Sequence, residues 1–442
     1  MKRIQPYLPA AAIFCLALLV RIIYNATVAH GYIPEYDARS YNTIALNLIN
    51  EHCFCQAAHA AAVGRAPFWP WLIAGIYILT GQDNAHARLF LCFIGASTCT
   101  IVYLWTRDIF SKRIGIITGI IAALYPGLFI YDGWLYTESL YTFLLLIFAY
   151  CLYRLQYTAQ LRWAGLSGLA LAAASLTRPN GLFYLGLLFV WAILVIRAKL
   201  LPWRTTARGV LIVTLLTVGL VAPWTVRNYT ISHTFIPVAT GNGKVLAGAY
   251  NDVVLTDLKF GYPGGYPGLW VSPGLIRPPI DYHGHTPCGY TCDTYDDAYV
   301  RQWIRTHPAQ TLELFGLHFI NMWRPYTSEE GLPVREFPDR ASSKLVWSMM
   351  NIMPIPIILL AFFGLLVTWR QRRQQLLLPV LLLLMDIAQC IVFYGSSRFR
   401  APIEPILVLL VGGALWWLAQ GSPKILRSHP SQDAHPESAQ SR

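Results

Sequence analysis

The sequence predicts an all-α polytopic membrane protein with about ten transmembrane helices, and three observations lead there. Of 442 residues, 55% are hydrophobic and 13% are charged, against roughly 25% charged in an ordinary soluble domain. Apolar runs of roughly 18 to 22 residues recur between short polar breaks, the signature of a multi-span helical membrane protein. The basic residues behind the formal charge of +12 gather at the ends of these runs. That distribution orients a membrane protein; it does not form a nucleic-acid surface.

In chain order the predicted spans are 8–29, 89–106, 114–131, 138–153, 163–177, 181–196, 209–224, 346–369, 375–394 and 401–419. The first is too long for a secretory signal, and no clean small-residue cleavage site follows it. One further stretch, Pro67–Thr80 (PFWPWLIAGIYILT), is short for a span and fits a helix lying along the membrane surface. It decides the orientation of everything after it. If it does not cross, Lys2/Arg3, Arg107/Lys112/Arg113, Arg154/Arg162, Arg197/Lys199/Arg204/Arg208, Arg370/Arg372/Arg373 and Lys424/Arg427 all fall on the cytoplasmic side. If it crosses, every cluster after the first flips outward.

The expectation is therefore ten spans, both termini inside, and outer regions at 30–88, 132–137, 178–180, 225–345 and 395–400. An N-terminal module, 1–224, carries seven spans and the first outer loop, 30–88. A long outer loop, 225–345, is rich in Gly, Pro and Tyr until helical spacing returns at Tyr295–Trp323. Three spans occupy 346–420, and the polar tail 421–442 is expected to be disordered.

Once topology has explained the inner cations, outer ones remain: Arg39, Arg65, Arg88, Arg178, Arg227, Arg398 and Arg400. Any single one can be an interfacial arginine reaching for headgroups. As a set, with Arg178, Arg227, Arg398 and Arg400 at helix ends, they suit an anionic lipid or lipid-linked substrate, because a guanidinium fork matches phosphate oxygens. Among the outer acids, Asp37 opens "DARSYNTIALNLI", with Tyr41, Ala45 and Leu48 at helical spacing. Its position fits a first-turn or capping carboxylate and equally a general base. Glu138 stands in the same relation to the fourth span, whereas Asp386 lies inside a span and reads as a structural polar contact. Of nine cysteines, Cys53, Cys55, Cys288 and Cys292 fall outside the spans. They fit disulfides of an oxidising compartment, with Cys288–Cys292 or a cross-loop pairing both open. A zinc set of His283, His285, Cys288 and Cys292 is the alternative.

These residues together resemble the GT-C membrane glycosyltransferases, above all the family 39 group of protein O-mannosyltransferases and bacterial lipid A aminoarabinose transferases. The resemblance rests on Asp37 with Tyr41 in the first outer loop, then "RAPFWPWL", "GQDNAHARL", "YPGLFIYDGWLYTESL", "LTRPNG", "APWTVRN", "ATGNGKVLAGAYND" and "SSRFRAPIEPIL", in this order. It implies the GT-C fold and a multi-pass protein of the bacterial inner membrane with its active site on the periplasmic face. The implied donor is a polyprenyl-phosphate-linked sugar and the acceptor a protein, lipid or glycan, with membrane lipids as the other partners. It assigns the base to Asp37 and a second acidic position to Asp132 or Glu138. Donor contacts are expected from Tyr41, Arg65, Arg88, Arg178, Arg227, Arg398 and Arg400. No cofactor is required, and a divalent metal stays open. The rival class is a transporter or flippase of lipid-linked sugars, which would share the spans and the cationic outer face.

Overall fold

The computed structural model describes residues 7–57, 60–256, 268–276, 280, 281, 292–324, 336 and 340–421. The tail 422–442, Cys288 and the two histidines of the zinc alternative lie outside them. Sixteen helices follow one another among the described residues: α1 (Leu8–Thr27), α2 (Tyr36–Asn50), α3 (Phe68–Thr80), α4 (Asn84–Ile109), α5 (Lys112–Leu124), α6 (Glu138–Thr158), α7 (Arg162–Thr177), α8 (Tyr184–Arg197), α9 (Trp203–Ser232), α10 (Asn242–Ala249), α11 (Asp252–Thr256), α12 (Cys292–Thr306), α13 (Pro308–Trp323), α14 (Arg340–Ile352), α15 (Pro354–Val392) and α16 (Glu404–Gly421). A two-stranded ribbon, Cys55–Ala57 against Ala60–Ala61, is the described β-structure.

Seven of the helical runs are long and apolar enough to cross a membrane. They expose large apolar side chains on one face, such as Leu19 and Ile23 in α1, Leu211 and Leu215 in α9, and Leu359 and Leu366 in α15. Within the bundle α1 packs on α4 and α5, α6 on α7, α7 on α9, and α15 on α16. The last pair approaches closely because Gly364 has no side chain to hold it off: a Cβ there would overlap the Leu410 carbonyl, the small-residue contact common between membrane helices.

Each predicted span coincides with a helix, with two corrections. The span expected at 114–131 stops at Leu124, just ahead of Pro126, whose ring and missing N–H interrupt the helical hydrogen bonds. Two short 3₁₀ turns, Pro126–Leu128 and Ile130–Gly133, replace it. The outer turn expected at 132–137 is not at the surface either: every residue from 125 to 138 is buried. Irregular backbone is tolerated at such depth where protein surrounds it. The span expected at 346–369 draws on two helices, with α14 ending at Ile352 and α15 beginning at Pro354. The second half of α15 is set off by a kink at Arg372, whose φ and ψ are −122° and 15°. The helical pattern at 295–323 becomes α12 and α13, separated at Pro308. They form, with α10, α11 and Tyr250, a small core of their own, anchored by the Tyr250 hydroxyl on the Val392 carbonyl at 2.6 Å.

Sequence reasoning passed over one charge in the first span. Arg21 is fully buried and donates through Nε to Asp132 Oδ2 at 2.6 Å and through an η nitrogen to the Leu128 carbonyl at 2.7 Å. A lone cation in an apolar run needs such a partner. Breaking a buried pair leaves a charge uncompensated, so Arg21→Leu is expected to destabilise the protein by about 3–5 kcal/mol. The double variant Arg21→Leu/Asp132→Leu should recover most of that in detergent thermal melts.

Candidate active site

The site is built from helix ends. α2 begins after Glu35, whose side chain makes no capping bond, and places Asp37 in its first turn. Asp37 does not cap the helix: Arg65 donates to its Oδ1 at 2.9 Å and Arg398 to its Oδ2 at 3.3 Å. Arg398 comes from the 3₁₀ turn Ser397–Ile403 that leads into α16. Its Nε donates to Glu138 Oε1 at 2.5 Å, at the start of α6. Arg178, at the end of α7, donates to the same oxygen at 3.2 Å. Aromatic rings support these guanidiniums from below: Tyr41 under Arg65, Tyr136 under Arg398, and Tyr141 and Phe399 beside Arg178. Three arginines thus surround two carboxylates, leaving one positive charge in excess.

These ion pairs also bear on α3. Asp37 and Arg65 precede it in the chain, and Glu138 and Arg398, which belong to the same cluster, follow it. Its inner face is tied down by Trp69 Nε1 donating to the Leu135 carbonyl at 2.9 Å and by Tyr77 to Asn42 at 2.7 Å.

Exposure separates the two acids. The Asp37 side chain is 33% exposed and that of Glu138 0%, so Asp37 is the carboxylate a substrate can reach. Burial works against ionisation of Asp37, but the charges of Arg398 and then Arg65 outweigh it and hold its carboxyl at about 2. Its pairing therefore adds stability above the ordinary value of 3.8, lost as pH falls through about 2.

The other expected residues lie elsewhere. Asp132 faces Arg21 and not Arg398, so of the two candidates for the second acid it is Glu138 that shares an arginine with Asp37. Arg88 is buried, donates to the Ala29 carbonyl at 2.8 Å and sits over Tyr32. Arg227 lies over Trp224 at 4.3 Å and holds the first loop through the Ala62 carbonyl at 2.9 Å. Arg400 is fully buried on Glu404 at 2.7 Å and the Met322 carbonyl at 2.9 Å. All three brace the fold around the cluster. Cys53 and Cys55 are bonded to each other, which excludes pairing of either with the long loop; Cys292 is disulfide-bonded too. Among the described residues no three His, Cys, Asp or Glu side chains converge as a metal set.

Two residues next to the cluster were missed. Tyr136 donates to Glu336 Oε1 at 2.7 Å, tying the long loop to the segment that carries Glu138. Glu336 is 3% exposed; burial raises its carboxyl to about 7, against hydrogen bonds from Tyr32 and Tyr136 that favour the charged form. An acid raised in the folded state stabilises most below its unfolded value, here 4.5, and loses that contribution as pH rises through about 7. The attachment of the long loop should therefore loosen between pH 5 and 8, read as faster proteolysis of that loop, and Glu336→Gln should abolish the dependence. Nothing in the local sequence marks Glu336, because its partners Tyr136 and Tyr32 lie some 200 and some 300 residues away.

Residues 64–226 match the family described as dolichyl-phosphate-mannose-protein mannosyltransferase; the match includes Arg65, Glu138 and Arg178 and stops short of Asp37 and Arg398. No curated protein shows significant sequence similarity to the chain. Among solved structures, the oligosaccharyltransferase AglB of Archaeoglobus fulgidus, in complex with an inhibitory peptide and a dolichol-phosphate, superposes with a TM-score of 0.55 at 11% identity, over 95% of this chain and 51% of the other. The apo form of the same archaeal enzyme gives 0.53 at 12% identity, over 93% and 51%. ArnT of Cupriavidus metallidurans bound to undecaprenyl phosphate gives 0.44 at 16% identity, over 93% and 78%. The chain spans about half the length of the archaeal enzyme. It has the GT-C fold of polytopic membrane glycosyltransferases, and its residues 64–226 match the mannosyltransferase family model.

Proposed function

We propose that the protein is a glycosyltransferase that moves a sugar from a polyprenyl-phosphate donor to an acceptor hydroxyl or amine at the extracytoplasmic face of the membrane, with inversion. The observation that carries this reading is Arg398, whose guanidinium spans the reachable Asp37 and the buried Glu138. A dolichol-phosphate bound to an archaeal enzyme of the same fold supports the donor class, as does the dolichyl-phosphate-mannose family match.

The chemistry follows from the groups present. A polyprenyl phosphate leaves without protonation if its developing charge is met, and Arg65, Arg178 and Arg398 can meet it. Asp37 orients the acceptor and takes its proton as the acceptor attacks the anomeric carbon; the carbon–oxygen bond to the phosphate breaks and the lipid phosphate departs toward the arginines. In the free protein the same arginines suppress the basicity of Asp37. An arriving phosphate competes for them, so donor binding raises the basicity of Asp37 when an acceptor can use it. Glu138, out of reach of solvent, keeps Arg398 and Arg178 in place while this exchange happens.

Proteoliposomes containing a polyprenyl-phosphate sugar labelled in the sugar provide the test. Transfer predicts that label leaves the lipid for an acceptor in proportion to lipid phosphate released. Label that crosses the bilayer still attached to its lipid would instead establish the flippase.

A further inference from the structure

Glu138 spends only one of its oxygens on the arginines. Arg398 and Arg178 both donate to Oε1, while Oε2 is buried and receives no hydrogen bond of good geometry from any described residue. Asp132 repeats the pattern: Arg21 holds Oδ2, and Oδ1 is buried without a bond of good geometry, although the Ser139 hydroxyl lies close enough to the carboxylate to favour its charged form. Both residues are fully buried, and both line the same small cavity, together with Gly95, Thr98, Ser139 and Thr142. The cavity has a volume of about 10 Å³, room for about one water molecule.

Two carboxylates, each paired with a guanidinium, cannot satisfy one another, because neither carries a proton to donate. A buried carboxylate oxygen without a donor is costly. A single water has two O–H donors, one for each oxygen, and can accept in return from a neighbouring hydroxyl; the cavity wall offers Thr98, Ser139 and Thr142. Gly95 on α4 permits the arrangement, since a Cβ there would overlap both the Asp132 carboxylate and the Arg21 guanidinium.

We propose that this cavity is a site for one ordered water, donating to Glu138 Oε2 and to Asp132 Oδ1, and that through it Arg21 and Asp132 act as a positioning pair for the arginine-held Glu138. The line of contacts runs from Arg21, inside the first span, through Asp132, the water and Glu138 to Arg398 and Asp37. The positioning half rests on the function proposed above; the water site does not.

Two measurements test it. A structure of the wild-type protein at a resolution that orders waters should show a peak within hydrogen-bond distance of Glu138 Oε2 and Asp132 Oδ1. A dry cavity, or the two oxygens in direct contact, overturns the site. The second is a double-mutant cycle on kcat for lipid-phosphate release, using Glu138→Gln and the charge-neutral Arg21→Gln/Asp132→Asn, with folding checked by thermal melts. Each is expected to lower kcat about tenfold or more, and the combined variant should be no slower than Glu138→Gln alone. Losses that multiply overturn the positioning role, because a purely structural defect would add independently of Glu138. If Glu138→Gln leaves kcat unchanged, the catalytic cluster itself is misassigned and the positioning half falls with it, whatever the water density shows.

Discussion

Arg398→Met is expected to lose both stability and activity. Glu138 is 0% exposed and would keep only Arg178, at 3.2 Å, as a charged partner. Stranding a buried carboxylate in this way costs about 3 kcal/mol, the lower end for a broken buried pair because Arg178 remains. Activity should fall further than stability explains. Removing one preorganised charge from a developing anion costs about 10²–10³ in kcat, and without Arg398 the lipid phosphate loses the group that links it to both acids. Arg398→Lys separates the two effects. Its ammonium restores a charge beside Glu138 and much of the melting temperature, but it cannot fork to Asp37 as well, so activity stays low. An Arg398→Met protein that folds and releases lipid phosphate at the wild-type rate would remove the arginine from the mechanism.

Asp37→Asn is the second large effect, with a different signature. Asp37 lies at the accessible edge of the cluster, so its neutral isostere should lose only the modest stability of a partly exposed ion pair, on the order of 1 kcal/mol. Loss of a general base lowers kcat by about 10²–10⁴. The KM for the donor should not rise, because Arg65 and Arg398 are relieved of a competing carboxylate. The pH profiles carry the same idea. In the free protein the arginines hold Asp37 at about 2, so kcat/KM should show no acid limb from this residue above about pH 4. Once the donor phosphate draws the arginines away, the Asp37 value rises and kcat should decline at a higher pH than kcat/KM does. An acid limb at the same pH in both profiles would show that donor binding leaves Asp37 untouched.

Much of this was legible in the sequence because membrane physics writes in long runs. Span length, charge bias and the short Pro67–Thr80 stretch gave the helix order, and the outer arginines that topology left unexplained included Arg65, Arg178 and Arg398. What stayed hidden depends on backbone breaks and distant partners. The apolar run 114–131 carries its own break in Pro126-Gly127, but nothing in it shows that the segment beyond becomes a buried plug. That plug is why Asp132 reaches Arg21 and not the site, and why spacing alone did not separate it from Glu138. Arg21 did leave a signal: like Asp386, it is a charge within an apolar run, which calls for a buried partner. Arg88, Arg227 and Arg400 share the helix-end placement of the site arginines; only packing distinguishes a guanidinium bonded to backbone carbonyls from one facing a carboxylate in reach of solvent.

The most direct measurement of the mechanism is single-turnover release of polyprenyl phosphate by purified protein, using a panel of polyprenyl-phosphate sugars with and without acceptor, followed by the anomeric configuration of the product. The mechanism predicts acceptor-dependent release with at least one sugar, an inverted anomeric centre, and a rate about a thousandfold lower for Asp37→Asn. Release by Asp37→Asn at the wild-type rate, or a product with retained configuration, would contradict it.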